Sequence, residues 1–227
     1  MLRFVLYVVI WCAFVNITVL VTPCVTNAQS ARVNVFRVLG DGALTDGHFR
    51  ITLESIVSLY KIESGVTLVP RVRVVKRNIC PVYGIDFMSV YGAWFCVRDY
   101  YHGKGLWERS GKKFRGSFKR APMAHFFLPP AIYLDKYWMT GLGGMGGRCV
   151  KRTGISLSNA YAVNQDGDTR MYQSMIAGAH EIGHSLSAAH VDSITIMNPD
   201  PLRLSLTQEL HFDPTSVAQI RACASTP

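Results

Sequence analysis

HEIGHSLSAAH, residues 180–190, sets three histidines around one glutamate. On a helix His180 and His184 lie one turn apart, so both imidazoles leave the same face. Two neutral imidazoles so placed can hold Zn²⁺ at about 2.0–2.1 Å. Glu181, beside them, is placed to take a proton from water that the metal has made acidic. A catalytic zinc needs a third protein ligand and keeps a fourth position open. His190 fills that role only if the helix stops, because six more residues of helix amount to roughly 600° of rotation. A break between Leu186 and Ala189 is therefore required. Glycine is favoured at such a turn, since a left-handed residue reverses the chain sharply. Ser187 stands there instead, at a backbone cost of about 1–2 kcal/mol if it turns left-handed. Zinc binding of about 10 kcal/mol or more can carry that strain.

Arg170–Leu186 reads as the helix that bears the site. Met171, Met175, Ala179, Ile182 and Leu186 form its apolar stripe, and Asp168 or Thr169 is its expected cap. Residues 31–39 alternate as a strand. Residues 48–64 carry Ile51, Ile56, Val57, Tyr60 and Ile62 at helical spacing, with Gly65 as the stop. A second strand follows at 66–75, where Pro70 marks an edge or a bulge. Residues 85–102 read as another amphipathic helix, and 123–130 as a short strand. The glycine-rich stretch 139–149 suits an exposed edge strand, and 153–158 a further strand. This order argues one α/β domain over residues 31–227.

Residues 1–28 are read separately. Arg3 precedes a long apolar run, which ends in polar residues and Thr26-Asn27-Ala28. That is the pattern of a secretory signal peptide, with an uncleaved membrane anchor as the alternative. Cys12 and Cys24 fall within it. Cys80, Cys96, Cys149 and Cys223 remain, an even number in an exported chain, which suggests two disulfides with the connectivity open. The net charge of +9 gathers in Arg71, Arg73, Lys76 and Arg77, and again across residues 104–120. Such patches attract extracellular polyanions such as glycosaminoglycans, or are simply solvated loop. No nucleic-acid module is present, so nucleic acid is not expected as a partner. Asp166 and Asp168 read as turn and cap rather than a Ca²⁺ site, and His125 as a core histidine with its hydrogen bonds satisfied. His48, His102 and His211 share no partner pattern. Glu209 is the competing third ligand, in a thermolysin-like arrangement.

Seven residues after His190 comes Met197-Asn198-Pro199, a tight turn. H-E-x-x-H-x-x-G-x-x-H followed by a methionine-bearing turn resembles the metzincin zinc endopeptidases. Within them, residues 124–149 are similar to the reprolysin-like (adamalysin-type) group. The resemblance spans nearly all of residues 31–223 and is strongest at 180–199. It implies an α/β fold of the metzincin type: a mixed twisted sheet, two packing helices, an active-site helix, a Met-turn and a C-terminal helix at 214–224. It implies one zinc ion held by His180, His184 and His190, Glu181 as general base, and Met197 as an apolar floor. Gly141 to Gly147, including Leu142, Gly143, Gly144 and Met145, would be the edge strand to which a peptide or protein substrate adds antiparallel. Residues 198–205 would line a side-chain pocket. Cys149–Cys223 matches a bridge of that group and leaves Cys80–Cys96. A secreted, monomeric zinc endopeptidase is the expectation. The alternative is a non-catalytic shell of the same fold that binds polyanions through 104–120. The departures are Ser187, the lack of a tyrosine two residues after Met197, and a short, cysteine-free interval between His190 and Met197.

Overall fold

Val33, Val35 and their alternating neighbours form the strand around which the sheet is laid down. The structure is a computed structural model, and it describes residues 29–40, 43–75, 94, 97–98, 101, 123–129, 141–143, 149, 154–159, 167–201, 204 and 209–226. The leader 1–28, Cys80, Cys96, most of the helix read at 85–102, the basic run 104–120, Gly144 and Met145 lie outside the described residues.

Strand β1 (Gln29–Val38) pairs in parallel with β2 (Val66–Val75) on one side and with β3 (Met123–Leu128) on the other. A short strand, β4 (Gly141–Gly143), runs antiparallel to β5 (Gly154–Asn159), which pairs in parallel with β3. The sheet order is β2-β1-β3-β5-β4. Among the described residues β2 is an edge strand, which is where Pro70 is tolerated in a sheet. The mixed sheet and its helices agree with the α/β class expected.

Helix α1 (Asp46–Leu59) starts two residues earlier than its apolar periodicity suggested, because Thr45 caps it through Oγ1, accepting from His48 N–H at 3.2 Å. Tyr60–Ser64 then continues as a π-helical turn, and Gly65 ends it with φ 68°. The buried face is also rotated from the expected one. Phe49, Leu53, Ile56 and Tyr60 are inside, while Ile51 and Ile62 are exposed. Helix α2 (Gly167–Ser185) already includes Asp168 and Thr169, so neither is its cap. In helix α3 (Pro214–Ala224) Asp213 is the cap, its Oδ1 accepting from Thr215 and Ser216 N–H at 2.9 and 3.0 Å.

A largely parallel sheet must be covered on both faces. On one, Ala31, Val33, Val35, Met123 and Phe127 pack with Ile56 of α1 and with Ile176, Ala179 and Ile182 of α2. Burying each isoleucine contributes about 1.5–3 kcal/mol, which holds α2 firmly against the sheet. On the other face, Phe36, Phe126, Leu128 and Leu157 pack with Val97, Trp94 and Tyr101. Trp94, Val97, Arg98 and Tyr101 are helical, within the segment read as a helix. Arg37, nearly buried, is neutralised by Asp46 and donates to the Leu44 carbonyl.

Candidate metal centre

The end of α2 decides whether three histidines can meet. Ser187 has φ 72°, and among the described residues it is the one non-glycine residue with positive φ. Its N–H donates to His184 O at 3.0 Å, and Ala188 N–H donates to Gly183 O at 2.9 Å. That bond pair is a Schellman turn, with serine in the place usual for glycine. Leu186 and Ala188, on either side, are fully buried and hold the turn in the core.

The turn sends the chain back towards α2. His180, His184 and His190 are then brought together, among the described residues the one group of possible metal-binding side chains. Nε2 of His184 lies 3.0 Å from Nε2 of both His180 and His190, and the remaining pair is 3.2 Å apart. Nitrogens bound at about 2.0–2.1 Å around one tetrahedral centre are about 3.3–3.4 Å apart, so the spacing suits zinc. Glu209 is exposed and stands outside this group.

Protonation agrees with that use. Nδ1 of His180 donates to the Ile196 carbonyl at 2.6 Å, and Nδ1 of His184 donates to the Ala188 carbonyl at 2.8 Å. A carbonyl can only accept, so in each neutral ring the proton is on Nδ1 and the Nε2 lone pair faces its neighbours. Burial, then the neighbouring His184, pushes His180 down to about 3. Burial also lowers His184 and His190. Lone pairs at such distances repel unless a cation or proton lies among them, and rings held neutral favour the cation.

Glu181 is buried beside them, and that burial pushes its carboxyl well above the usual range. It lies against β4. A Cβ on Gly141 would come within 2.6 Å of Glu181 Cγ, and one on Gly143 within 2.7 Å of Glu181 O and 2.8 Å of His184 Cβ. Met197 is fully buried beneath α2, where a Cβ on Gly183 would meet its sulfur at 2.6 Å. Cys149 and Cys223 are joined, with Cα atoms 5.4 Å apart, tying α3 to the chain beyond β4. His125, the core histidine, lies between Ser156 Oγ at 2.8 Å and Ser158 Oγ at 3.0 Å.

Sequence reasoning missed Tyr60, whose hydroxyl donates to Ala179 O at 2.7 Å, one residue before His180. Its burial and the nearby Glu181 push its own ionisation well up, so it stays a donor. It also missed why β4 is glycine. Those residues are small because α2 presses on them, and Gly141 is buried rather than exposed. The Gly between Ile182 and His184 was a signal of the same kind, a site where another side chain comes close.

No protein-family profile and no curated protein matches this chain. Solved structures do. Metalloproteinase-II from Bacteroides fragilis aligns with a TM-score of 0.52 and 15% identity, covering 86% of this chain and 53% of its own. The chain therefore spans about half the length of that protein. Archaemetzincin from Methanopyrus kandleri aligns with a TM-score of 0.52 and 9% identity, covering 88% of this chain and 98% of its own. At such identities the likeness assigns the fold, which is that of these metalloproteinases.

Proposed function

We propose that this chain is a secreted zinc endopeptidase of the reprolysin-like kind. The observation that carries the reading is the convergence of three Nε2 atoms, 3.0–3.2 Å apart, on a buried helix that also bears Glu181. His180, His184 and His190 would hold the ion. When bound, zinc supplies a Lewis acid that polarises a carbonyl and lowers the pKa of water towards 7. Glu181 takes a proton from the attacking water on its carboxylate and hands it to the leaving amine as the peptide C–N bond breaks. Among the described residues β4 is the last strand of the sheet, and its outward edge would take a peptide antiparallel through main-chain hydrogen bonds. Gly141, Leu142 and Gly143 form that strand next to Glu181, with Gly144 and Met145 as its proposed continuation. Met197 closes the site from below. The Cys149–Cys223 bridge favours an oxidising compartment, in keeping with export and a cleaved leader. Among the described residues no helix is long and apolar enough to cross a membrane.

Glu181→Gln is the test. The variant should bind one zinc per chain and cleave a mixed peptide library at least a hundredfold more slowly than the parent. Undiminished, chelator-sensitive cleavage by the variant would remove Glu181 from the mechanism. Heparin retention by a zinc-replete parent that cleaves nothing would favour the non-catalytic, polyanion-binding alternative through residues 104–120.

A further inference from the structure

The backbone between the Schellman turn and His190 is itself neither helix nor strand, so it draws its support from elsewhere. Ser187 and Ala188 N–H groups are taken by α2 carbonyls, and Val191 N–H donates to Met197 O at 3.0 Å. Between them, Ala189 N–H donates to Oε1 of Gln219, a side chain of α3, at 2.9 Å. This bond joins the C-terminal helix to the residue immediately before His190.

Gln219 is itself firmly placed. Its neighbour Ile220 is fully buried, and Cys223, one turn on, is buried and bridged to Cys149. Arg221 Nε donates to Ser64 O at 2.7 Å, fixing α3 to the π-helical turn. The start of the helix is closed by Asp213, which accepts from Ser216 Oγ as well as from backbone N–H groups. Gln219 therefore presents its carbonyl oxygen from a rigid element to a short irregular segment. His190 is the most exposed of the three histidines and the least enclosed by its surroundings. Its Nε2 must nevertheless keep within 3.0–3.2 Å of the other two.

We infer that Gln219 is a positioning residue for the metal centre, holding the Ser187–His190 return so that His190 reaches the ion. The inference rests on the reading of His190 as the third ligand. It goes beyond that reading by assigning part of the metal affinity to the C-terminal helix. Outer-shell partners of metal ligands typically change affinity by about 10–100-fold when removed. Gln219 acts one residue from the ligand backbone, so the low end applies.

The full mature chain is titrated with Zn²⁺ against a chromophoric chelator, alongside Gln219→Ala, Gln219→Glu and His190→Ala. Gln219→Ala should bind zinc about 10-fold more weakly. Gln219→Glu keeps an oxygen acceptor and should recover most of that loss. The Co²⁺-loaded Gln219→Ala protein should show an altered ligand-field spectrum that Gln219→Glu restores, a change a merely structural role would not produce. If His190→Ala weakens zinc and Gln219→Ala binds within twofold of the parent, the inference is overturned while the ligand set stands. If His190→Ala binds like the parent, the ligand reading fails and takes the inference with it.

Discussion

Replacing Ser187 with glycine tests the backbone turn on which the site depends. At φ 72° serine lies in the left-handed region, which costs an L-residue about 1–2 kcal/mol. Glycine removes that strain but loses about 0.5–1 kcal/mol through its greater freedom in the unfolded chain. The difference leaves Ser187→Gly more stable by about 0.5–1 kcal/mol, or about 1–4 °C in Tm for a domain of this size. The turn is held by two backbone hydrogen bonds and by buried Leu186 and Ala188. The strain therefore belongs to folding, and zinc affinity should move by less than about threefold, or about 0.7 kcal/mol. A β-branched residue is a genuine outlier at positive φ, so Ser187→Val should lose about 1 kcal/mol or more against serine. Urea unfolding of the three proteins, at fixed free zinc, gives the order directly. Valine as stable as serine, or glycine less stable than serine, would refute a left-handed Ser187. A large gain in zinc affinity with unchanged stability of the zinc-free protein would instead show that the turn forms only when metal binds.

Gly183→Ala sets a Cβ 2.6 Å from the sulfur of buried Met197, an overpacking that should cost about 1–3 kcal/mol. Moving Met197 shifts Ile196, whose carbonyl orients His180, so zinc should bind about 10-fold more weakly; calorimetry and chelator competition that both match the parent would rule this out. His125 is pushed down to about 3 by burial, against about 6.5 when unfolded. Between those values the unfolded chain binds more protons, so this stability is complete above about pH 6.5 and falls as the pH drops. Between pH 6.5 and 5 the loss is about 2 kcal/mol, and below about pH 3 it goes no further. His125→Asn, though less stable overall, should lack this part of the slope in urea unfolding across that range; parallel slopes would show that His125 stays protonated in the fold.

The parts of the fold that were legible are those in which local pattern and tertiary demand agree. Alternating valines made β1 and β2 strands, and Pro70 marked the edge. The stripe Met175, Ala179, Ile182 and Leu186 put α2 in the core with its histidines on one face. Where the two demands diverge, local pattern misleads. Ile51 and Ile62 have the right residue type but look outwards, because α1 is oriented by Phe49, Leu53 and Tyr60 packing beneath it. Asp168 looked like a cap, yet the helix begins before it. Nothing local reveals Gln219 or Tyr60, since each matters through a partner more than 25 residues away: Ala189 for one and Ala179 for the other.

The same separation explains how a serine can stand in the turn. Two of the three imidazoles are aimed by carbonyls that the fold supplies, Ile196 from beneath α2 and Ala188 from the turn itself. The third depends on the short return that Gln219 braces. A local strain of about 1–2 kcal/mol is small beside the apolar burial on both sides of it. Leu186 and Ala188 flank the left-handed residue and are each fully buried. Relaxing Ser187 to an ordinary conformation would expose them, at about 1.5–3 kcal/mol for the leucine alone. The core therefore holds the turn in place, and glycine is the easier residue here without being a required one.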